Sequence, residues 1–134
     1  MKPLLELTVA DIMHPNVITI PTGASAVEAI RMMGTQKISA LIVEPEHAHD
    51  AHGIITRKDL VIEAMENLET LTHLKVGDIA TKPVISIPPH LGIKHAVRLM
   101  RLVGVRRLAV FDGPKLVGLI SNSDVFREVL KLGH

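Results

Sequence analysis

The strongest constraint on this chain is that it presents nearly the same pattern twice. Asp11-Ile12 lies 67 positions before Asp78-Ile79, and the same offset lays Val17-Ile18-Thr19-Ile20-Pro21 on Val84-Ile85-Ser86-Ile87-Pro88. It also pairs Ala29-Ile30 with Ala96-Val97, Met33 with Met100, and Leu41 with Leu108. By Gly53 and Gly118 the offset is 65, because the loop before Gly53 is two residues longer. So many matches in one order mark a duplicated supersecondary unit, which must bury its apolar face against a neighbour.

Each copy predicts the same elements. A one-turn helix, Val9 to Met13 or Val76 to Ala80, leads into an extended segment, Val17–Ile20 or Val84–Ile87, stopped by Pro21 or Pro88-Pro89. A helix follows, with Ser25 as N-cap and Glu28 completing a capping box in the first copy, and Gly92 as the N-cap in the second. Two strands come next, Ala40–Val43 with Gly53–Ile55 and Leu108–Phe111 with Leu116–Ile120. The second pair turns at Asp112-Gly113-Pro114-Lys115. A last helix closes each copy, roughly Arg57–Leu68 and Asn122–Lys131. Leu60, Val61, Ala64 and Met65 are expected to line one side of the first, and Val125, Phe126, Val129 and Leu130 one side of the second. Leu4, Leu5 and Leu7 are expected to dock on the body.

The last strand and last helix meet at a repeated corner. Gly53-Ile54-Ile55-Thr56-Arg57-Lys58-Asp59-Leu60 matches Gly118-Leu119-Ile120-Ser121-Asn122-Ser123-Asp124-Val125. Thr56 and Ser121 read as N-caps, with Asp59 and Asp124 as their reciprocal capping-box partners. A helix start also attracts anions, so each corner can be a plain joint or a ligand clamp.

Composition narrows the function. The 134 residues suit one compact domain or two small lobes, and 47% are apolar. A formal charge of +1 and the absence of Trp and Tyr argue against nucleic-acid binding. With no Cys there is no disulfide, thiolate metal site or thiol nucleophile. No apolar run is long enough to span a membrane, and no signal-peptide pattern opens the chain, so the expected location is cytoplasmic. No motif for catalysis stands out: there is no nucleophile elbow and no glycine-rich phosphate loop, and the chain is not expected to be an enzyme.

The doubled order of strand, helix, hairpin and helix resembles a tandem pair of cystathionine-beta-synthase-type (CBS) domains, a Bateman module. The resemblance rests on Val-Ile-Thr-Ile and Val-Ile-Ser-Ile, on Gly104-Val105-Arg106-Arg107-Leu108-Ala109-Val110-Phe111-Asp112, and on the two Gly-x-x-[Ser/Thr]-x-x-Asp corners. It implies an α/β (α+β) fold of two β-α-β-β-α repeats packed face to face about a pseudo-two-fold axis. The repeats would cover residues 8–68 and 76–132, after a lead of residues 1–7. It further implies a regulatory module that binds adenosine-containing ligands (AMP, ADP or ATP) in inter-repeat clefts, requires no cofactor, and signals to an effector protein through the geometry of a homodimer.

Carried over residue by residue, the resemblance implies two ligand sets. The first combines Thr56, Lys58 and Asp59 with Val84, Ser86, Val105, Arg106 and Arg107. The second combines Ser121, Ser123 and Asp124 with Val17, Thr19, Ile38 and Ser39. In each, the corner Asp would hold ribose hydroxyls. Arg106-Arg107 stands where the first copy has Ser39-Ala40, and Arg offers forked donors for phosphate while Lys58 adds a point charge. The first set is therefore the expected primary nucleotide site, and the second, with no cation at these positions, is expected to be weak, empty or suited to a ligand with less charge. If residues 106 and 107 are extended they point to opposite faces, so one of the two arginines is expected to serve another contact.

Three other readings remain. The pair could be a structural or dimerisation module with degenerate clefts, or bind S-adenosylmethionine. It could also handle metal through His47, His49 and His52 with Glu44, Glu46 and Asp50. Those residues fall in a loop without helical spacing, so a solvated turn is expected there and no metal site.

Overall fold

The structure, a computed structural model, describes residues 2–133. In chain order the first elements are α1 (Val9–Ile12), β1 (Thr19–Ile20), α2 (Ala26–Gln36), β2 (Ala40–Val43), β3 (Gly53–Thr56) and α3 (Arg57–Glu66). There follow α4 (Leu68–Leu71), α5 (Val76–Ile79), β4 (Ser86–Ile87), α6 (Ile93–Val103), β5 (Arg107–Asp112), β6 (Lys115–Ser121) and α7 (Asn122–Leu130). Short 3-10 turns stand at either end, over Leu4–Glu6 and Lys131–Gly133.

The chain divides into two compact units. One is Ile18–Val84; the other joins the residues before it to those after it. The lead helix α1 therefore packs in the unit of the second hairpin, and α5 in the unit of the first. In this respect the compact units are shifted along the chain relative to the sequence repeats.

The Ile18–Val84 unit holds a three-stranded sheet of order β1-β2-β3, with β1 parallel to β2 and β3 antiparallel to it. Its core gathers Ile20, Ala29, Met33, Leu41, Val43, Ile55, Leu60 and Val76. The second unit repeats this with the order β4-β5-β6 and a core of Val9, Ile87, Ala96, Met100, Leu108, Val110, Ile120 and Val125. The pairs matched in sequence, Ala29 with Ala96, Met33 with Met100 and Leu41 with Leu108, are all buried. Both copies thus bury the same positions, in the helical and strand periods that place them on one face.

Local chemistry sets the element ends. Ser25 Oγ accepts the Glu28 N–H at 3.0 Å, but Glu28 turns its carboxylate to Arg31 at 2.7 Å, so the expected capping box is half made. Gly92 caps α6 as expected. α2 ends on Lys37 and α6 on Gly104, 67 positions on, both left-handed with φ of 55° and 71°. Glycine accepts that conformation without strain and lysine does not. The β5–β6 hairpin turns at Gly113, whose φ of 60° suits the first central position of a tight turn.

Several expectations need correction. The first strand of each copy is two residues long rather than four, because only Thr19–Ile20 and Ser86–Ile87 pair with a neighbour. α3 stops at Glu66, and Asn67 separates it from α4. Leu60 is buried and Ala64 packs on the core, but Val61 and Met65 face outward, as do Phe126, Val129 and Leu130 on α7. Leu7 docks through its carbonyl to the Ile93 N–H at 3.0 Å, whereas Leu5 is exposed.

Candidate functional site

Each corner is built by an extended residue ending a strand and capping a helix. In the first unit, Thr56 Oγ1 accepts the Asp59 N–H at 3.2 Å and Asp59 Oδ2 accepts the Thr56 N–H at 2.8 Å. In the second, Ser121 and Asp124 make the same two bonds at the same 3.2 and 2.8 Å. Both expected capping boxes are present, so each Asp has one oxygen committed to the joint.

The corner glycines are explained by close approach of backbone. Ile54 exchanges two backbone hydrogen bonds with Thr81, and Leu119 two with His14. A Cβ on Gly53 would stand 2.6 Å from Lys82 Cγ and 2.9 Å from the Thr81 carbonyl oxygen; one on Gly118 would collide with the Met13 sulfur. Only glycine leaves room for these segments.

Beyond the boxes, the two carboxylates part company. Asp124 Oδ1 receives His14 Nε2 at 2.7 Å and an Arg127 guanidinium N–H at 2.7 Å, and its side chain is only 2% exposed. Burial works to raise the Asp124 pKa, but the Ser121 N–H, Arg127, the Ser121 hydroxyl and His14 outweigh it and hold the carboxyl below its ordinary value. Asp59 is half-buried, and its Oδ1 has no hydrogen-bond partner among the described residues. At the positions equivalent to His14 and Arg127, the first unit has Thr81 and Ile62.

The other expected residues fall as follows. Lys58, Ser86, Arg106 and Ser123 are exposed; Val17, Thr19, Ile38, Ser39, Val84, Val105 and Arg107 are half-buried. Thr19 Oγ1 donates to Glu44 at 3.0 Å, and the Val84 N–H donates to the His52 carbonyl at 2.9 Å. The Ser39 carbonyl accepts the Arg57 N–H at 2.8 Å, and the Arg106 carbonyl accepts the Asn122 N–H at 2.8 Å. Ala40 pairs with Thr56 and Arg107 with Ser121, so Arg106-Arg107 does take the place of Ser39-Ala40. Thr19, Ile38, Ser39, Thr56, Lys58, Asp59 and Val84 share one unit; Val17, Ser86, Val105, Arg106, Arg107, Ser121, Ser123 and Asp124 share the other. Each expected ligand set therefore draws on both units.

In the histidine loop, Asp50 binds Lys82 Nζ at 2.6 Å and accepts the Glu46 N–H at 2.7 Å, and Lys82 also donates to Thr22 at 2.9 Å. The Lys82 ammonium first, and the Glu46 N–H next, hold the Asp50 carboxyl far below the usual carboxylate range. Among the described residues no three His, Cys, Asp or Glu are grouped to hold a metal ion. No helix among the described residues is long and apolar enough to cross a membrane.

Sequence reasoning assigned no cation to the second ligand set and missed both His14 and Arg127. Arg127 was readable as a partner three residues along the helix from Asp124. His14, 110 residues away, carried no signal until the bridge of its strand-like segment to Leu119 was seen.

The sequence profile of the CBS domain matches residues 9–66 and 76–131. The chain is 30% identical over 123 residues to an uncharacterized protein of Methanopyrus kandleri, an alignment covering 91% of the chain and 62% of that protein. It thus spans about three-fifths of the length of this curated relative. Among solved structures it is similar to a hexameric CBS-CP12 protein from bloom-forming cyanobacteria, at 35% identity and a TM-score of 0.84, covering 90% of the chain and 69% of the other. It is also similar to CBSX2 in complex with AMP, at 25% identity and a TM-score of 0.75, covering 95% of the chain and 98% of the other.

Proposed function

The chain belongs to the CBS domain family, with two copies of the domain, and on that premise we propose that it is a regulatory module sensing adenosine-containing ligands. The observation that carries the reading is the Asp59 corner, which keeps a carboxylate oxygen uncommitted at the start of a ten-residue helix. A ribose diol needs such an acceptor, and a helix start favours the phosphate that follows it. Asp59 takes the ribose, and Lys58, its exposed neighbour on the same helix start, is a phosphate-binding cation of the same ligand. The AMP complex of the similar CBSX2 supports an adenine nucleotide as the ligand.

The output of the module is a change in association with another chain. Phe126, Val129 and Leu130 leave an apolar face on α7, and Val97, Leu102 and Val103 stand exposed along α6. A homodimer covers such faces, and the hexameric state of the similar CBS-CP12 protein supports self-association. In this reading the protein binds and relays and does not catalyse.

A melting panel tests the proposal on protein first stripped of carried-over ligand. An adenine nucleotide at 100 times its dissociation constant adds about 2.7 kcal/mol of stability. AMP, ADP, ATP and S-adenosylmethionine are compared side by side. A clear upward shift with a nucleotide is expected; no shift with any of the four would leave a structural dimerisation pair as the better account.

A further inference from the structure

The two corners share their capping geometry to a tenth of an ångström, yet one carboxylate is open and the other is not. We propose that His14 and Arg127 form a clasp that shuts the Asp124 corner, and so fix how many adenosine ligands one chain accepts. This deepens the reading above, on which it rests for the chemical class of the ligand.

A carboxylate grips a ribose diol by accepting two hydroxyl hydrogens, which requires lone pairs directed at the ligand. At Asp124, Oδ2 is committed to the Ser121 N–H, and Oδ1 carries both His14 Nε2 and the Arg127 guanidinium at 2.7 Å. With 2% of the side chain exposed, a diol cannot approach until a donor leaves. A ribose hydroxyl brings no charge of its own, so at Oδ1 it lacks the coulombic attraction that the Arg127 guanidinium adds to its hydrogen bond.

The clasp is nonetheless removable. His14 and Arg127 are 63% and 61% exposed, so neither side chain is needed to fill the core. The chain supplies its own control: the first corner has Thr81 and Ile62 at these positions and forms the same capping box without any clasp. His14 and Arg127 are thus positioning residues that decide occupancy, acting on Asp124 rather than on the ligand.

The test gives the second corner the residues of the first, as His14→Thr with Arg127→Ile, and counts bound AMP and adenosine by calorimetry on stripped protein. The double variant is expected to bind one more ligand per chain than the wild type, at least tenfold tighter than any second event there. Adding Asp124→Asn is expected to abolish that gain, while Asp124→Asn alone leaves wild-type binding unchanged. Arg127→Ile alone provides a milder opening should the double variant melt early. A folded variant with no added ligand would overturn the clasp, as would wild-type binding that is lost with Asp124→Asn. Failure of the wider reading looks different: the wild type and Asp59→Asn would then bind equally, whatever the double variant gains.

Discussion

Replacing each corner aspartate by alanine measures how differently the two joints are held. Asp59→Ala removes one capping-box hydrogen bond and leaves the Thr56 cap in place, a loss of about 0.5–1 kcal/mol. Asp124→Ala removes the same bond and two charge-assisted ones. Those two are discounted to about 0.5 kcal/mol each, because His14 and Arg127 are well exposed and return to water. The mutation also relieves the burial of a charge, but the lowered Asp124 pKa shows that its partners outweigh that cost. The expected loss is about 2 kcal/mol, a difference of roughly 1 kcal/mol between the variants and about 3–4 °C in melting temperature for a chain of this size. Urea melts near neutral pH provide the comparison, with an Asp124→Ala and Arg127→Ala double-mutant cycle to isolate the pair. The sign with pH follows from the direction of the shift. A depressed carboxyl stabilises above the unfolded value of 3.8 and loses that contribution as pH falls through its folded value, so the gap between the variants narrows in acid. Equal losses at neutral pH, or no coupling between Asp124 and Arg127, would refute the clasp as an energetic feature.

Other expectations are shorter. Lys37→Gly, at the left-handed end of α2 where the second copy already has Gly104, should raise stability by about 0.5–1 kcal/mol in a urea melt. Gly53→Ala should cost more than Gly118→Ala, within the roughly 1–3 kcal/mol of overpacking, because a Cβ at 53 strikes the Thr81 backbone, whereas at 118 the Met13 side chain can turn aside. Phe126→Glu should lower the mass seen by light scattering towards that of a single chain, by placing a charge on the apolar face of α7; an unchanged mass would exclude that face from the contact.

The fold was legible because the duplication was. Met33 and Met100, or Leu41 and Leu108, stand 67 residues apart and are buried alike, so one pattern read twice identified both cores. The corners were equally legible, since a capping box is local chemistry over four residues. Segments whose structure depends on distant pairing were less so: Val17 and Val84 look like strand residues, but the ladders begin only at Thr19 and Ser86. Val61 and Met65 obey helical spacing yet face outward, because periodicity does not say which apolar stripe meets the core. One asymmetry between the repeats is legible in the sequence, at Arg106-Arg107. A second asymmetry lay in His14, which only the folded chain brings to Asp124.

The central claim is that Asp59 holds an adenosine ligand. It is tested most directly by titrating AMP into stripped wild-type and Asp59→Asn protein. An asparagine keeps the size of the side chain but turns one acceptor into a donor and removes the charge. The loss of charged hydrogen bonds to the ribose is expected to cost about 2.7 kcal/mol, a fall of about 100-fold in affinity with the melting temperature little changed. AMP affinities within about twofold of each other would contradict the assignment of the ligand to this corner.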